Sequence, residues 1–242
     1  MPAMFKAPVH QAMAERAPIA MGLGLVAGEA FLPAGCGAFQ VLDLAQLTIA
    51  AAGSERNVYL HPTDTSLLIK IINRARIGEP GRKRPWHKRF LREDAHRVFI
   101  AEAAEYIATS VRQKTNHGNT LMARVAGLIL TSQGLGLAVE RIVDAEGNLA
   151  PTLRQVVAQQ GFGPELRVLV HEFFMALIDA HVIFNDVSAS NIVLGFNADG
   201  RKGLYLVDGF GSKQLLPLYA WSKELNGRRL LRKYQEMVRK LS

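Results

Sequence analysis

Apolar positions along the chain change their spacing several times, and each change marks an element. "VLDLAQLTIAAAGSERNVYLHP" (41–62) predicts two short strands joined by a small-residue turn at Ala50 to Ser54. "TSLLIKII" (65–72) predicts an apolar strand with Lys70 in its centre, and "EPGRKRP" (79–85) is a loop broken by Pro80-Gly81 and Pro85. From about Arg92 to Gln113 the period becomes helical, with Val98, Ala101, Glu102, Glu105, Tyr106, Ile107 and Val111 recurring and no Gly or Pro between. "LMARVAGLILTSQGLGLAVERIV" (121–143) reads as two strands turning at Gln133-Gly134.

The second half is mainly helical. "PTLRQVVAQQG" is a short helix with Pro151 in an N-terminal position and Gly161 beyond its end. "GPELRVLVHEFFMALIDAHVI" is a longer one, opened by Pro164 and Glu165, with Leu166, Leu169, Val170, Phe173 and Leu177 expected on one face. "NIVLGF" and "LYLVDGFG" are short strands with "NADGRKG" as their hairpin turn. A last helix from near Ser222 carries Leu231, Tyr234, Val238 and Leu241 at 3/4 spacing, with basic residues between. Strands first and helices after predict an α+β chain of two lobes. The sheet lobe spans about 39–140 and the helical lobe about 141–242, with their connection near Glu140 to Leu153.

Composition narrows this frame. At 242 residues and 49% hydrophobic, the chain has ample length for a buried core. The single cysteine, Cys36, allows no internal disulfide, which fits a reducing compartment. No histidines and cysteines stand at zinc spacing. Residues 1–38, rich in Ala, Met, Gly and Pro, read as a poorly ordered extension. "LPAGC" within it resembles a lipoprotein cleavage box, but Glu29 interrupts the apolar run and Pro33 stands where that box takes an aliphatic residue. No apolar run reaches membrane-spanning length.

The net charge of +8 is concentrated in two segments. Arg74 to Arg97 holds nine basic and three acidic residues, 9 − 3 = +6, and Lys213 to the end holds eight and two, 8 − 2 = +6. Such segments are either solvated faces or contacts for a phosphorylated or anionic partner. Aromatics are sparse in both, Trp86 and Phe90 in the first and Tyr219, Trp221 and Tyr234 in the second, which argues against nucleic acid.

Four polar residues stand in an order that suits phosphoryl transfer. That chemistry needs a cation on the phosphates, oxygen ligands for magnesium and a carboxylate to orient the attacking hydroxyl. Lys70 sits among Leu68, Ile69, Ile71 and Ile72, where an unpaired ammonium would be costly to desolvate. Glu102 or Glu105, on the helix that follows, could pair with it. Asp186 and Asn191 lie in the loop after the long helix, and Asp208 follows the second hairpin strand. The hairpin would bring Asn191 and Asp208 together as a hard-oxygen magnesium pair, with Asp186 across the loop to accept a hydroxyl proton.

These residues resemble the protein-kinase-like fold, and more closely the YrbL family, the PhoP regulatory network proteins of bacteria. The resemblance runs from about Leu42 to Arg239 and rests on "RNVYLHPTDTSLLIKI" and "VDGFGSKQLLPLYAWSKELNGRRLLRKY". It implies a small antiparallel-sheet N-lobe, a shortened helical C-lobe, and ATP and magnesium as cofactors. It gives Lys70, Glu102 and Asp186 catalytic roles, with Glu102 taking the helix position ahead of Glu105. It puts Gly53, Ser54, Lys70 and Glu140 on the nucleotide and Asn191 and Asp208 on the metal.

The departures bear on activity. The kinase histidine-arginine-aspartate loop reads Phe184-Asn185-Asp186, and the glycine-rich loop is reduced to Gly53 among alanines. Non-glycine residues resist left-handed geometry by about 1–2 kcal/mol each, so nucleotide clamping is expected to be weaker. Only 34 residues follow Asp208, with no peptide-docking motif. That layout resembles bacterial kinases acting on lipopolysaccharide core sugars. Two functions are therefore expected: an atypical kinase for a sugar, lipid-linked or unusual protein hydroxyl, or a kinase-fold regulatory protein of a two-component network without turnover. Either is expected to be cytoplasmic, with a peripheral place at the inner face of the membrane for a kinase whose acceptor is anionic.

Overall fold

The structure, a computed structural model, describes residues 41–47, 49–52, 56–73, 96–113, 121–211 and 218–241, all within one compact unit, Phe39–Ser242. Its first half is a five-stranded sheet made of β1 (Ile49–Ala52), β2 (Arg56–Leu60), β3 (Leu67–Ile72), β4 (Val125–Thr131) and β5 (Gly134–Glu140). The order is β1-β2-β3-β5-β4, with every neighbouring pair antiparallel. The helix α1 (Arg97–Gln113) lies between β3 and β4 in the chain. The helical expectation from Arg92 begins outside the described residues, as do "EPGRKRP", most of the first basic segment, Gly53 and Ser54.

The near-continuous apolar run of β3 follows from burial on both faces. On one face Leu68, Ile72, Leu137 and Val139 pack against Phe99 of α1. On the other, Ile69, Ile71 and Tyr59 pack under Leu44, with Leu42 and Leu47 beside it. Lys70 pairs with Val58 on β2 and Leu137 on β5, so its side chain lies on the face that meets α1.

The second half holds α2 (Leu153–Gln160), α3 (Pro164–Asp179), the hairpin β6 (Ile192–Phe196) and β7 (Lys202–Leu206), the short α4 (Leu218–Trp221) and α5 (Lys223–Leu241). Thr152, rather than Pro151, starts α2, through a reciprocal capping box with Gln155. α3 buries Leu166, Val170, Phe173, Phe174 and Leu177, while Leu169 is turned outward. On α5 the inward face is Leu230, Tyr234, Met237 and Leu241, and the expected Leu231 is 39% exposed. Leu230 and Leu231 stand four and three positions before Tyr234, so 3/4 spacing admits either, and Leu230 is the one that joins the core with Phe174 and Leu177.

Candidate functional site

Helix α1 brings two carboxylates inward one turn apart, and they have separate partners. Lys70 Nζ donates to Glu102 Oε2 at 2.9 Å and to the Val207 carbonyl at 2.6 Å, with Lys70 and Glu102 side chains 6% and 1% exposed. Glu105 Oε1 accepts the Ile183 amide at 2.8 Å instead. The two glutamates thus divide the sites on that face: Glu102 serves the strand, and Glu105 anchors the chain entering the Asp186 loop. Burial pushes the Glu105 carboxyl above its usual range, against the Ile183 amide, Arg112 and Thr109, which act the other way.

The loop of Asp186 is built against the chain that follows β7. Phe184 bridges Phe210, and the amides of Asn185 and Asp186 both donate to the Gly209 carbonyl. Phe184 is fully buried beside Phe174, which fits an apolar residue in the place of the kinase histidine. Asn191 Nδ2 donates to the Asp186 carbonyl at 2.9 Å and to Asp186 Oδ2 at 3.1 Å, and Asn191 Oδ1 has no hydrogen-bond partner among the described residues. The Val207 amide donates to the Asn191 carbonyl, so the hairpin sets Asn191 beside the start of the Asp208 segment.

Gly209 is tightly enclosed and has φ +79°; a Cβ there would stand 2.7 Å from Asn191 Nδ2 and 3.0 Å from the Asp186 carbonyl oxygen. Gly211, at φ +91°, lies under α1, where a Cβ would come within 2.3 Å of the Ala101 carbonyl oxygen. The two glycines of "DGFG" therefore let backbone approach the Asp186–Asn191 loop on one side and α1 on the other.

Two arginines that sequence reasoning missed complete the arrangement. Arg56, the first residue of β2, pairs through one guanidinium nitrogen with Glu102 Oε1 and through the other with Asp208 Oδ1. Burial alone would raise the Asp208 carboxyl, but the Lys70 and Arg56 cations outweigh it and hold it below the ordinary aspartate range. For Arg56, burial favours loss of charge, and Glu102 and Asp208 more than reverse it. Arg229 of α5 donates to the carbonyls of Phe184 and Asn185 and to Asn185 Oδ1, at 3.1–3.3 Å, and lies over the Tyr219 ring. The only sequence signals were a basic residue opening a strand after a small-residue turn and one arginine among several on an amphipathic helix.

Glu140, expected on the nucleotide, has its carboxylate engaged elsewhere. It accepts from Arg124 Nη2 and the Ala198 amide, both at 2.8 Å, and from the Arg124 amide at 3.0 Å. Its side chain thus ties β5 to the β6–β7 turn. Lys70, Glu102 and Asp208 form one connected group through Arg56; Asp186 and Asn191 join it through Gly209, the residue next to Asp208.

A five-stranded antiparallel sheet whose central strand presents a lysine to a helix glutamate, joined to a helical half with an Asp–Asn loop and a hairpin ending in Asp-Gly, is a protein-kinase-like fold. The chain belongs to the family described as PhoP regulatory network protein YrbL, whose pattern it matches over residues 42–242. No curated protein matches it. Among solved structures it is similar to the Mycobacterium tuberculosis PknI kinase domain, with 18% identity, 70% of this chain and 62% of that chain covered, and a TM-score of 0.42. It is also similar to Rad53 1–466 in complex with AMP-PNP, at 17% identity, 72% and 39% coverage and a TM-score of 0.41. The chain spans less than two thirds of the length of either.

Proposed function

We propose that the chain is an ATP- and magnesium-dependent phosphotransferase acting on a sugar, lipid-linked or unusual protein hydroxyl. The observation that carries this reading is the buried Lys70–Glu102 pair, delivered to the same place as Asp208. Desolvating an ammonium and a carboxylate costs several kcal/mol each, and apolar residues of similar volume would fill the same space more cheaply. A cation held there by two acceptors is suited to phosphate oxygens.

The donor set also fits magnesium: Asn191 Oδ1 has no hydrogen-bond partner among the described residues, Asp208 is kept ionised, and both offer hard oxygens. Magnesium would neutralise charge on the phosphates when bound. Lys70 would steady the phosphates, Glu102 would fix its reach, and Gly53 and Ser54 are proposed as nucleotide contacts. Asp186 would accept the hydroxyl proton as the acceptor oxygen bonds to the γ-phosphorus and the bond from that phosphorus to the departing ADP oxygen breaks. Any part Glu140 plays with the nucleotide falls to its main chain. The exposed Arg228, Arg232 and Arg239 of α5 support an anionic acceptor. Among the described residues no helix is long and apolar enough to cross a membrane, so a membrane-associated acceptor would be reached from its surface.

A second reading, a regulatory protein without turnover, is favoured by Arg56 on the metal carboxylate and by the family's description. Calorimetry of ATP with and without magnesium, on wild type and Asp208→Ala, tests the first. Metal-dependent binding that the variant loses supports it. Absence of binding at millimolar ATP overturns it and leaves the regulatory reading, in which Asp186→Asn should keep every in-vivo phenotype.

A further inference from the structure

Four charged side chains form one closed group: Lys70 and Arg56 against Glu102 and Asp208, two of each sign. Lys70 and Glu102 alone would already balance. Arg56 adds a cation that Glu102, with one oxygen on each partner, cannot neutralise by itself, and Asp208 supplies the missing charge. The planar guanidinium fork can hold two carboxylates at once, whereas an ammonium offers no such fixed pair of directions. Arg56 and Val58 share a face of β2, and Val58 is paired with Lys70, so the two cations are diagonal neighbours on the face that meets α1.

This places a fixed positive charge on the carboxylate expected to hold magnesium. Asp208 Oδ1 accepts both from Arg56 and from the Gly209 amide. A divalent ion arriving alone would have to displace the guanidinium and would then stand near a cation that Glu102, already paired with Lys70, cannot fully neutralise. A polyphosphate changes the balance, because its oxygens can take the guanidinium over and release Asp208.

Resting on the phosphotransferase reading, we propose that Arg56 is a positioning residue of the metal–nucleotide site. It holds Asp208 to Glu102 while no phosphate chain is bound and competes with the divalent ion for that carboxylate. Metal therefore enters only together with an anionic phosphate chain, and sheet, α1 and the Asp208 segment stay assembled until it does. A structural salt bridge alone would affect stability but not the order in which metal and nucleotide bind.

The test is Mn2+ binding followed by electron paramagnetic resonance, with metal alone and with metal plus ATP, on the full chain. R56Q should bind Mn2+ alone at least about tenfold more tightly than wild type, since a like charge beside the ligand is removed. That gain should vanish when D208N is added, and the gap between wild type and R56Q should narrow with ATP present. Unchanged or weaker Mn2+ binding by R56Q overturns the proposal. Thermal unfolding reports whether R56Q is folded. If it is not, R56K decides, because its ammonium cannot span both carboxylates: a several-fold gain supports the competition and no gain overturns it. The two readings separate cleanly. Tighter Mn2+ binding in R56Q with no ATP binding by either protein keeps the competition and removes the phosphotransferase; metal-dependent ATP binding by wild type with no gain in R56Q does the reverse.

Discussion

Glu102 and Glu105 show how far a side chain's role is set by what lies opposite it. They are three positions apart on α1 and both buried, yet Glu102 meets two cations, while Glu105 meets an amide at 2.8 Å and the Thr109 hydroxyl at 3.4 Å. Burial raises the Glu105 pKa, so its ionised form opposes folding at neutral pH, and that cost disappears as pH falls below the usual glutamate range. Glu105→Gln keeps an acceptor for Ile183 without the charge. It should match or exceed wild-type stability at pH 7–8 in denaturant titrations, and its relative advantage should shrink toward pH 4. Glu105→Ala strands the Ile183 amide, a loss of about 1–3 kcal/mol that should show most fully toward pH 4 and be partly offset at neutral pH by the buried charge it removes. Gly209 is as narrowly determined: Gly209→Ala combines left-handed strain of about 1–2 kcal/mol with a clash on Asn191 and Asp186. It should abolish metal-dependent ATP binding, whereas Gly200→Ala, at φ +74° with nothing within 4 Å, should carry the strain and leave binding intact.

Among the elements, α1 has the most to position, and it rests on the chain after β7. Because the Ala101 carbonyl lies where a Gly211 Cβ would go, Gly211→Ala must move either the helix or the loop. Expected outcomes are a lower melting temperature and weaker ATP binding together, since displaced α1 withdraws Glu102 from Lys70; a normal melting curve with normal ATP affinity would contradict the docking described. Elements of this kind were legible in the sequence where one signal dominated. Lys70 stood out in β3 because burial on both faces leaves an apolar run around a single charge. The hairpin stood out through "NADGRKG", where Asn197 Oδ1 accepts the amides of Asp199 and Arg201. Helix faces were less legible where two apolar residues adjoin, as at Leu230-Leu231 on α5. Arg56 and Arg229 could not be placed in the site: their hydrogen-bond partners lie 44 to 152 positions away, and no periodicity encodes such a meeting.

Across the whole molecule, the Arg56–Asp208 pair ties the sheet to the chain that leads out of the hairpin, and its charge state makes that tie depend on pH. Asp208 is held below the ordinary aspartate range in the folded protein, so the unfolded chain binds its proton first as pH falls. Its contribution to stability is therefore fully present above the unfolded value of 3.8 and is lost as pH drops through the lower folded value. Asp208→Asn removes that contribution at neutral pH and leaves Arg56 with one carboxylate, Glu102, instead of two. Wild type and Asp208→Asn should differ most in urea unfolding free energy near pH 7, and the gap should close as pH falls below about 4. A gap independent of pH would mean that the pair carries no net charge coupling and that the variant acts by packing alone. A gap that closes with acid would show the carboxylate proposed for magnesium already contributing, through Arg56, to the cohesion of sheet and helical half. In that event metal and nucleotide loading would loosen one internal tie as it formed others, and the cost of that exchange would sit in the observed affinity.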